Sequence, residues 1–262
     1  MKILFIGDIV AKPGRETVKK VLPEVIKKHK PDFIIANAEN LSHGNGFTHE
    51  TISEMRKAGI DFFTSGDHAW GNRMDLMEDA SSEFPVIRPA NFPPDVPGTG
   101  YFAIKDKAGH KILIINLIGR VFMKKSYDCP FRTIDKILKQ TAKEKFDAIF
   151  VDMHAEATSE KYALGFYLDG RVSAVIGTHT HVPTADARIL YNGLAFMSDI
   201  GMTGSLDSVI GVKKDLIITS FLTQMPVKHE PETAGKMVFN GCLIEVSSRE
   251  KSTKVEHIQQ II

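Results

Sequence analysis

Five short apolar runs in this chain share one property: each ends in a side chain able to bind a metal ion. KILFI (2–6) is followed by Gly7-Asp8, DFIIANA (32–38) by Glu39-Asn40, and DFFTSG (61–66) by Asp67-His68. FDAIFVDM (146–153) runs into His154, and SAVIG (173–177) into Thr178-His179-Thr180-His181. Runs of this length, separated by amphipathic stretches, read as buried strands of βα units. In parallel βα units the strand C-termini share one edge of the sheet, where ligands bind in open α/β folds. Side chains from Asp8 to His181 are therefore expected to converge in space.

Between these runs the pattern alternates as βα units require. Residues 14–29 carry Val18, Val21, Leu22, Val25 and Ile26 at helical spacing, with Pro23 expected to shift or kink the helix. THETISEMRKAG has a Thr48 cap and a Gly59 stop, and a further helix is expected from about Arg73 to Ala80. The segment 85–100 holds five of the twelve prolines and reads as an ordered surface loop, not a linker. Residues 101–119 predict a hairpin turning at Lys107–Gly109, followed by helices over 130–145 and 159–170. Asn192-Gly193 is the signature of a two-residue type I′ hairpin, and 241–261 forms a late hairpin turning near Arg249–Ser252. The pattern is that of one mixed α/β domain over 1–262, with hairpins feeding a second sheet.

Composition excludes several classes. Lys and Arg total 33 against 32 Asp and Glu, a net charge of +1, which argues against an extended nucleic-acid footprint. Cys129 and Cys242 lack any paired spacing and read as buried or idle thiols of a reducing compartment. The apolar start is broken by Asp8, Lys12 and Pro13, unlike a signal peptide, and no segment approaches the ~20 apolar residues of a spanning helix. A soluble, cytoplasmic chain with no membrane partner is expected.

Taken singly, the strand-end residues have ordinary explanations. Asp8 alone reads as a cap or turn former, and His154 alone as a hydrogen-bonded, half-buried histidine. Glu39 is a poor cap, and on an extended segment His179 and His181 point the same way, so two imidazoles reach one site. Three carboxylates and three imidazoles suit iron, manganese or zinc better than a thiolate-seeking metal. Six ligands exceed the needs of one open catalytic ion and imply two, about 3.5–4 Å apart, with Glu39 the best bridge. Two-metal sites clamp phosphoryl groups and activate water, so phosphoester hydrolysis is the leading chemistry. His68 sits beside Asp67 with no need to ligate and is assigned as general acid. His43, His49 and His229 receive no role, and His29, His110 and His257 read as surface residues.

These residues carry a resemblance. Gly7-Asp8, Glu39, Gly66-Asp67-His68, His154 and Gly177-x-His179-x-His181 resemble the motif series of calcineurin-like metallophosphoesterases. More closely, GDIVAKPGR, NAENLSHGNGFT, DMHAEATSEK, GTHTHVPTAD and SDIGMTG followed by DSVIG resemble the YmdB family of bacterial metallophosphodiesterases, from residue 1 to about 240. The resemblance implies a four-layer α/β/β/α sandwich with mixed sheets, an iron or manganese pair, and hydrolysis of cyclic nucleotides such as 2′,3′-cyclic AMP. It implies that Asp8, Glu39, Asn40 and His181 hold one ion. Glu39, Asp67, His154 and His179 would hold the other, with His68 as proton donor; Asn40 enters by the resemblance alone.

Two departures stand out. The wider superfamily opens with Asp-x-His, whereas Val10 occupies the third position here, as in the YmdB branch. The family usually has Gly-Asn-His where this chain has Gly66-Asp67-His68; the added negative charge should tighten metal binding and weaken Lewis acidity. A metal-dependent amidohydrolase fits poorly, because its His-x-His lies on the first barrel strand and eight regular βα units are missing here. A non-enzymatic alternative is a metal- or nucleotide-responsive regulatory protein with vestigial hydrolysis. The expected partner is a small phosphodiester, and an exposed sheet edge or hairpin offers a surface for a homo-oligomer.

Overall fold

The computed structural model describes residues 1–71, 80–81 and 83–262. The expected helix over 73–80 lies almost wholly outside the described residues. The chain begins β1 (Lys2–Ile6), β2 (Asp8–Ile9), α1 (Ala11–His29), β3 (Phe33–Asn37), α2 (His49–Lys57) and β4 (Phe62–Thr64). A hairpin β5 (Tyr101–Lys105) and β6 (Lys111–Ile118) leads to α3 (Pro130–Gln140), β7 (Ala148–His154), α4 (Thr158–Leu168) and β8 (Ala174–Thr178). The remainder is β9 (Arg188–Ile189), β10 (Ala195–Met197), β11 (Met202–Ser205), α5 (Lys214–Thr223), β12 (Met237–Ser248) and β13 (Lys251–Ile261).

The strands form two mixed sheets. One runs β2-β11-β12-β1-β3-β4, with β13 also pairing β12; the other runs β5-β6-β7-β8-β10-β9. In the first, β1, β3 and β4 are parallel, with Ile3 opposite Phe33 and Ile35 opposite Phe62. In the second, β6, β7 and β8 are parallel, with Asn116 opposite Asp152 and Asp152 opposite Ile176.

Side-chain alternation along these strands builds four layers. Ile3, Phe5, Phe33, Ile35 and Ile244 of the first sheet pack against Ile112, Ile114, Phe150, Ile176 and Met197 of the second. The opposite face of the first sheet, with Leu4, Ile6, Ile34 and Ala36, packs on Val18, Val21, Leu22 and Val25 of α1 and Ile52 and Met55 of α2. Leu113, Ile115, Ile149, Val151 and Val175 pack likewise on Ile134 and Ile137 of α3 and Leu164 and Leu168 of α4. The result is the expected α/β/β/α sandwich, and burial of these three apolar interfaces is its main source of stability.

Several local expectations change. Helix α1 starts at Ala11 and passes through Pro23; Pro23 is exposed, so the carbonyl it frees faces solvent. Gly14 lets α1 approach β11, since a Cβ there would lie 2.4 Å from the Thr203 carbonyl oxygen. Thr48 caps α2 as expected, its hydroxyl accepting from the Thr51 N–H at 3.2 Å. Helix α3 ends at Gln140, short of residue 145.

The proline-rich segment is ordered but not superficial: Val86, Ile87, Asn91 and Phe92 are buried, and the Arg88 guanidinium donates to the carbonyls of Pro89, Val96 and Pro97. The Asn192-Gly193 hairpin forms, but not with a type I′ turn. Gly193 has φ 104° while Asn192 does not adopt positive φ, and Leu190 pairs with Leu194 around a three-residue loop. Cys242 is buried, with its thiol pushed up to about 12 by desolvation, whereas Cys129 is only half-buried.

Candidate metal centre

The C-terminal ends of β1, β3 and β4 meet those of β7 and β8 at one edge of the sandwich. Beneath that edge the sheets are tied together by the buried Asp152 on β7. Its carboxylate accepts from Asn37 Nδ2 of β3 at 3.0 Å, from the Thr64 hydroxyl of β4, and from the Thr178 hydroxyl of β8 at 2.8 Å. Burial pushes Asp152 up to about 7 against the pull of His154 and these three donors. Asn37, Asp152, Thr64 and Thr178 leave only a faint signal in the sequence, a polar residue within or at the close of each otherwise apolar strand.

Asp152 fixes the next shell. Because the Thr178 hydroxyl is committed to Asp152, Thr178 Oγ1 accepts from His154 Nδ1–H at 2.8 Å. His154 therefore presents Nε2, whose lone pair faces Glu39 Oε2 at 2.8 Å, Asp67 Oδ1 at 3.5 Å and His179 Nδ1 at 3.0 Å. The four ligand atoms of Glu39, Asp67, His154 and His179 all lie within 4.8 Å of one another. His179 Nε2 is held from behind by Glu156 at 3.3 Å. Glu156 sits two residues past His154, beyond the strand end, where no apolar run marks it.

A second set stands beside the first. His181 Nδ1–H donates to the Ile210 carbonyl at 2.8 Å, so Nε2 carries the lone pair. That nitrogen faces Asn40 Oδ1 at 3.2 Å and Asp8 Oδ1 at 4.0 Å. Asn40 Oδ1 is the acceptor end of the amide, because Nδ2 donates to the Gly44 carbonyl at 3.0 Å.

In both sets acceptor faces acceptor. Asp8 Oδ1, Glu39 Oε2 and Asp67 Oδ1 are buried without a hydrogen-bond donor. Opposed lone pairs at such distances need a proton or a cation between them. Oxygen and imidazole ligands about 2.0–2.2 Å from one ion would be spaced as these are, so the donor set fits divalent metal well.

The electrostatics show the same demand for positive charge, which a proton on His154 Nε2 meets in place of a cation. Burial pushes Glu39 up, but His154 and His68 together hold its carboxyl well below the usual range. Burial opposes charge on His154, yet Glu39, Asp67 and Asp8 raise it well above an ordinary histidine. His179 is pushed down to about 4 by burial and the neighbouring His154. Desolvation raises Asp8, and the opposing pull of His181 and His154 only partly offsets it. His68 stands at the rim, Nδ1 2.8 Å from Glu39 Oε1 and Nε2 3.9 Å from Asp67 Oδ2, and contact with Glu39 raises its pKa.

All eight sequence-derived residues thus come to one edge, but the His-x-His segment is not extended. His179 and His181 take φ 100° and 66°, so the chain turns sharply after β8 and sends the two rings to different ligand sets. Gly66 is obligatory before Asp67, since a Cβ there would lie 1.5 Å from Glu39 Oε2. His43 and His229 line the cavity over the centre, and His257 is half-buried with Nε2 3.1 Å from Asn240 Oδ1, not a surface residue.

A family model for YmdB-like proteins matches residues 4–261. The chain belongs to the YmdB-like family. A Bacillus subtilis protein named 2′,3′-cyclic-nucleotide 2′-phosphodiesterase is 43% identical over 261 residues, covering 98% of this chain and 96% of that protein. A hypothetical protein from Thermus thermophilus superposes with TM-score 0.91 at 38% identity, over 100% of this chain and 99% of that one. A Mycoplasma pneumoniae protein described as a novel phosphatase gives TM-score 0.90 at 31% identity, over 100% and 93%. Among the described residues, no helix of this YmdB-like chain is long and apolar enough to cross a membrane.

Proposed function

We propose that the chain hydrolyses 2′,3′-cyclic nucleotides at a two-metal centre, with residues 1–262 acting as one domain because both sheets supply ligands. The observation that carries this reading is the pair of adjacent clusters of opposed lone pairs at the end of a cavity of about 580 Å³. The name of the B. subtilis relative supports the substrate class.

In this reading Asp8, Glu39, Asn40 and His181 hold one ion, and Glu39, Asp67, His154 and His179 the other, with iron the first metal expected and manganese or zinc next. The metal pair, when bound, supplies the nucleophile and offsets charge on the phosphoryl oxygens during in-line displacement. The chain's own work is orientation and proton supply. Thr178 and Glu156 fix which imidazole nitrogens face inward. Glu39 Oε1 favours the protonated form of His68, whose Nε2–H is free to protonate the departing 2′-oxygen.

The test is metal analysis coupled to a hydrolysis screen on one preparation, comparing 2′,3′-cyclic AMP, 3′,5′-cyclic AMP and bis(4-nitrophenyl) phosphate. Metal-dependent turnover with preference for the 2′,3′-cyclic ester is the expected result. Metal-loaded protein inert toward all three would overturn the proposal. Rescue of a deletion phenotype by folded Asp8→Ala and His68→Ala proteins would instead favour the regulatory alternative.

A further inference from the structure

The far wall of the cavity has no part in metal binding or proton transfer. Helix α5 contributes no buried residue, and Phe221 on it is 81% exposed. Phe221, Ile217, Ser220, Ile210 and Pro231 nevertheless line the same cavity as Glu39, His68, His179 and His181. Ile210 is held at φ 47°, a costly conformation for a β-branched residue. Its carbonyl accepts the proton of His181 Nδ1, so this part of the wall is tied directly to a candidate metal ligand.

We propose that this wall is the nucleobase subsite, with Phe221 as the stacking face and Ile210 and Ile217 as flanking apolar contacts. The inference rests on the phosphodiesterase reading above and extends it to the other end of the substrate. A phosphodiester held at the charged end extends its sugar and base along the cavity, and a planar base matches an aromatic and aliphatic wall. Four of the five wall residues are apolar and the Ser220 hydroxyl donates to the Met225 carbonyl at 3.2 Å, so the wall recognises a base by stacking area more than by a hydrogen-bond code. Purines are therefore favoured over pyrimidines, with little discrimination within each class. Phe221 and Ile217 share one cavity with Glu39, His68, His179 and His181, which argues for a small ligand spanning the two ends as the occupant.

The test uses the full-length protein loaded with manganese and compares 2′,3′-cyclic AMP with methyl riboside 2′,3′-cyclic phosphate, which lacks a base. Phe221→Ala should raise the ratio of the two KM values by roughly ten-fold, and Phe221→Trp should restore it. An unchanged ratio overturns the inference. If the wild type hydrolyses neither compound, the phosphodiesterase reading fails; calorimetric titration with adenosine 3′-monophosphate then decides the subsite separately. Binding weakened by Phe221→Ala supports it, and binding that is absent or unaltered overturns it. Sedimentation velocity covers the other occupant: a dimer that Phe221→Ala dissociates, without a change in the KM ratio, would assign the wall to a second copy.

Discussion

The ammonium of Lys161 lies 2.7 Å from the carboxylate of Asp199, and both side chains are almost completely buried. The same Asp199 oxygen accepts the Thr180 N–H at 3.0 Å and its hydroxyl at 2.8 Å, while the other oxygen accepts the Gly201 N–H at 2.9 Å. Asp199 thus pins the sharp turn between His179 and His181, and Lys161 on α4 neutralises it. Lys161→Met would leave that carboxylate uncompensated and should lower unfolding stability by about 3–5 kcal/mol. Adding Asp199→Asn should recover part of the loss, as chemical denaturation of the single and double variants would reveal.

Thr178 orients His154 without touching the cavity. Thr178→Val should weaken metal affinity by about 10–100-fold, because His154 loses the acceptor that keeps its proton on Nδ1. Thr178→Ser keeps the hydroxyl and should restore affinity. Competition with a chromogenic chelator measures both, and equal affinity for the Val variant and the wild type would refute the role.

Asp67 tests the effect of an added charge. Asp67→Asn should bind metal less tightly and move the acidic limb of the pH–rate profile to lower pH, since a less negative ligand set leaves a stronger Lewis acid. Coincident acidic limbs would remove the idea.

Little of this network is legible in the sequence, for a physical reason. Strand-end residues such as Glu39 and His154 are legible because they interrupt apolar runs at a position where parallel strands expose their ends. Asp152 and Thr178 lie within or at the close of those runs, and their pairing depends on how two sheets face each other, which no local pattern encodes. The His179–His181 turn departs from the expected extended segment because strand periodicity carries no warning of a left-handed residue after Thr178. Asn192-Gly193 fails similarly: its composition fits two turn geometries, and the strand register around Leu190 and Leu194 selects the three-residue one.

The β5–β6 turn offers a pH check remote from the centre. His110 Nδ1 lies 2.7 Å from Asp106 Oδ2, which raises the imidazole. On Asp106 burial pushes upward, but hydrogen bonds from His110 outweigh it and the net shift is downward. The raised His110 contributes stability that is fully present below its unfolded value of 6.5 and lost as pH rises through its folded pKa. The lowered Asp106 contributes stability present above 3.8 and lost as pH falls through its folded pKa. The turn is therefore best held between these values, and Asp106→Asn should return His110 toward an ordinary histidine in an NMR titration.

In the proposed function the opposed acceptors around His154 and His181 are two cation positions and not one. Crystals of manganese-loaded protein, examined by anomalous scattering at the manganese edge, test it directly. Two peaks are expected, one among Glu39, Asp67, His154 and His179 and one among Asp8, Glu39, Asn40 and His181, with Asn40→Ala weakening only the second. A single peak at full metal occupancy, or none, would contradict it.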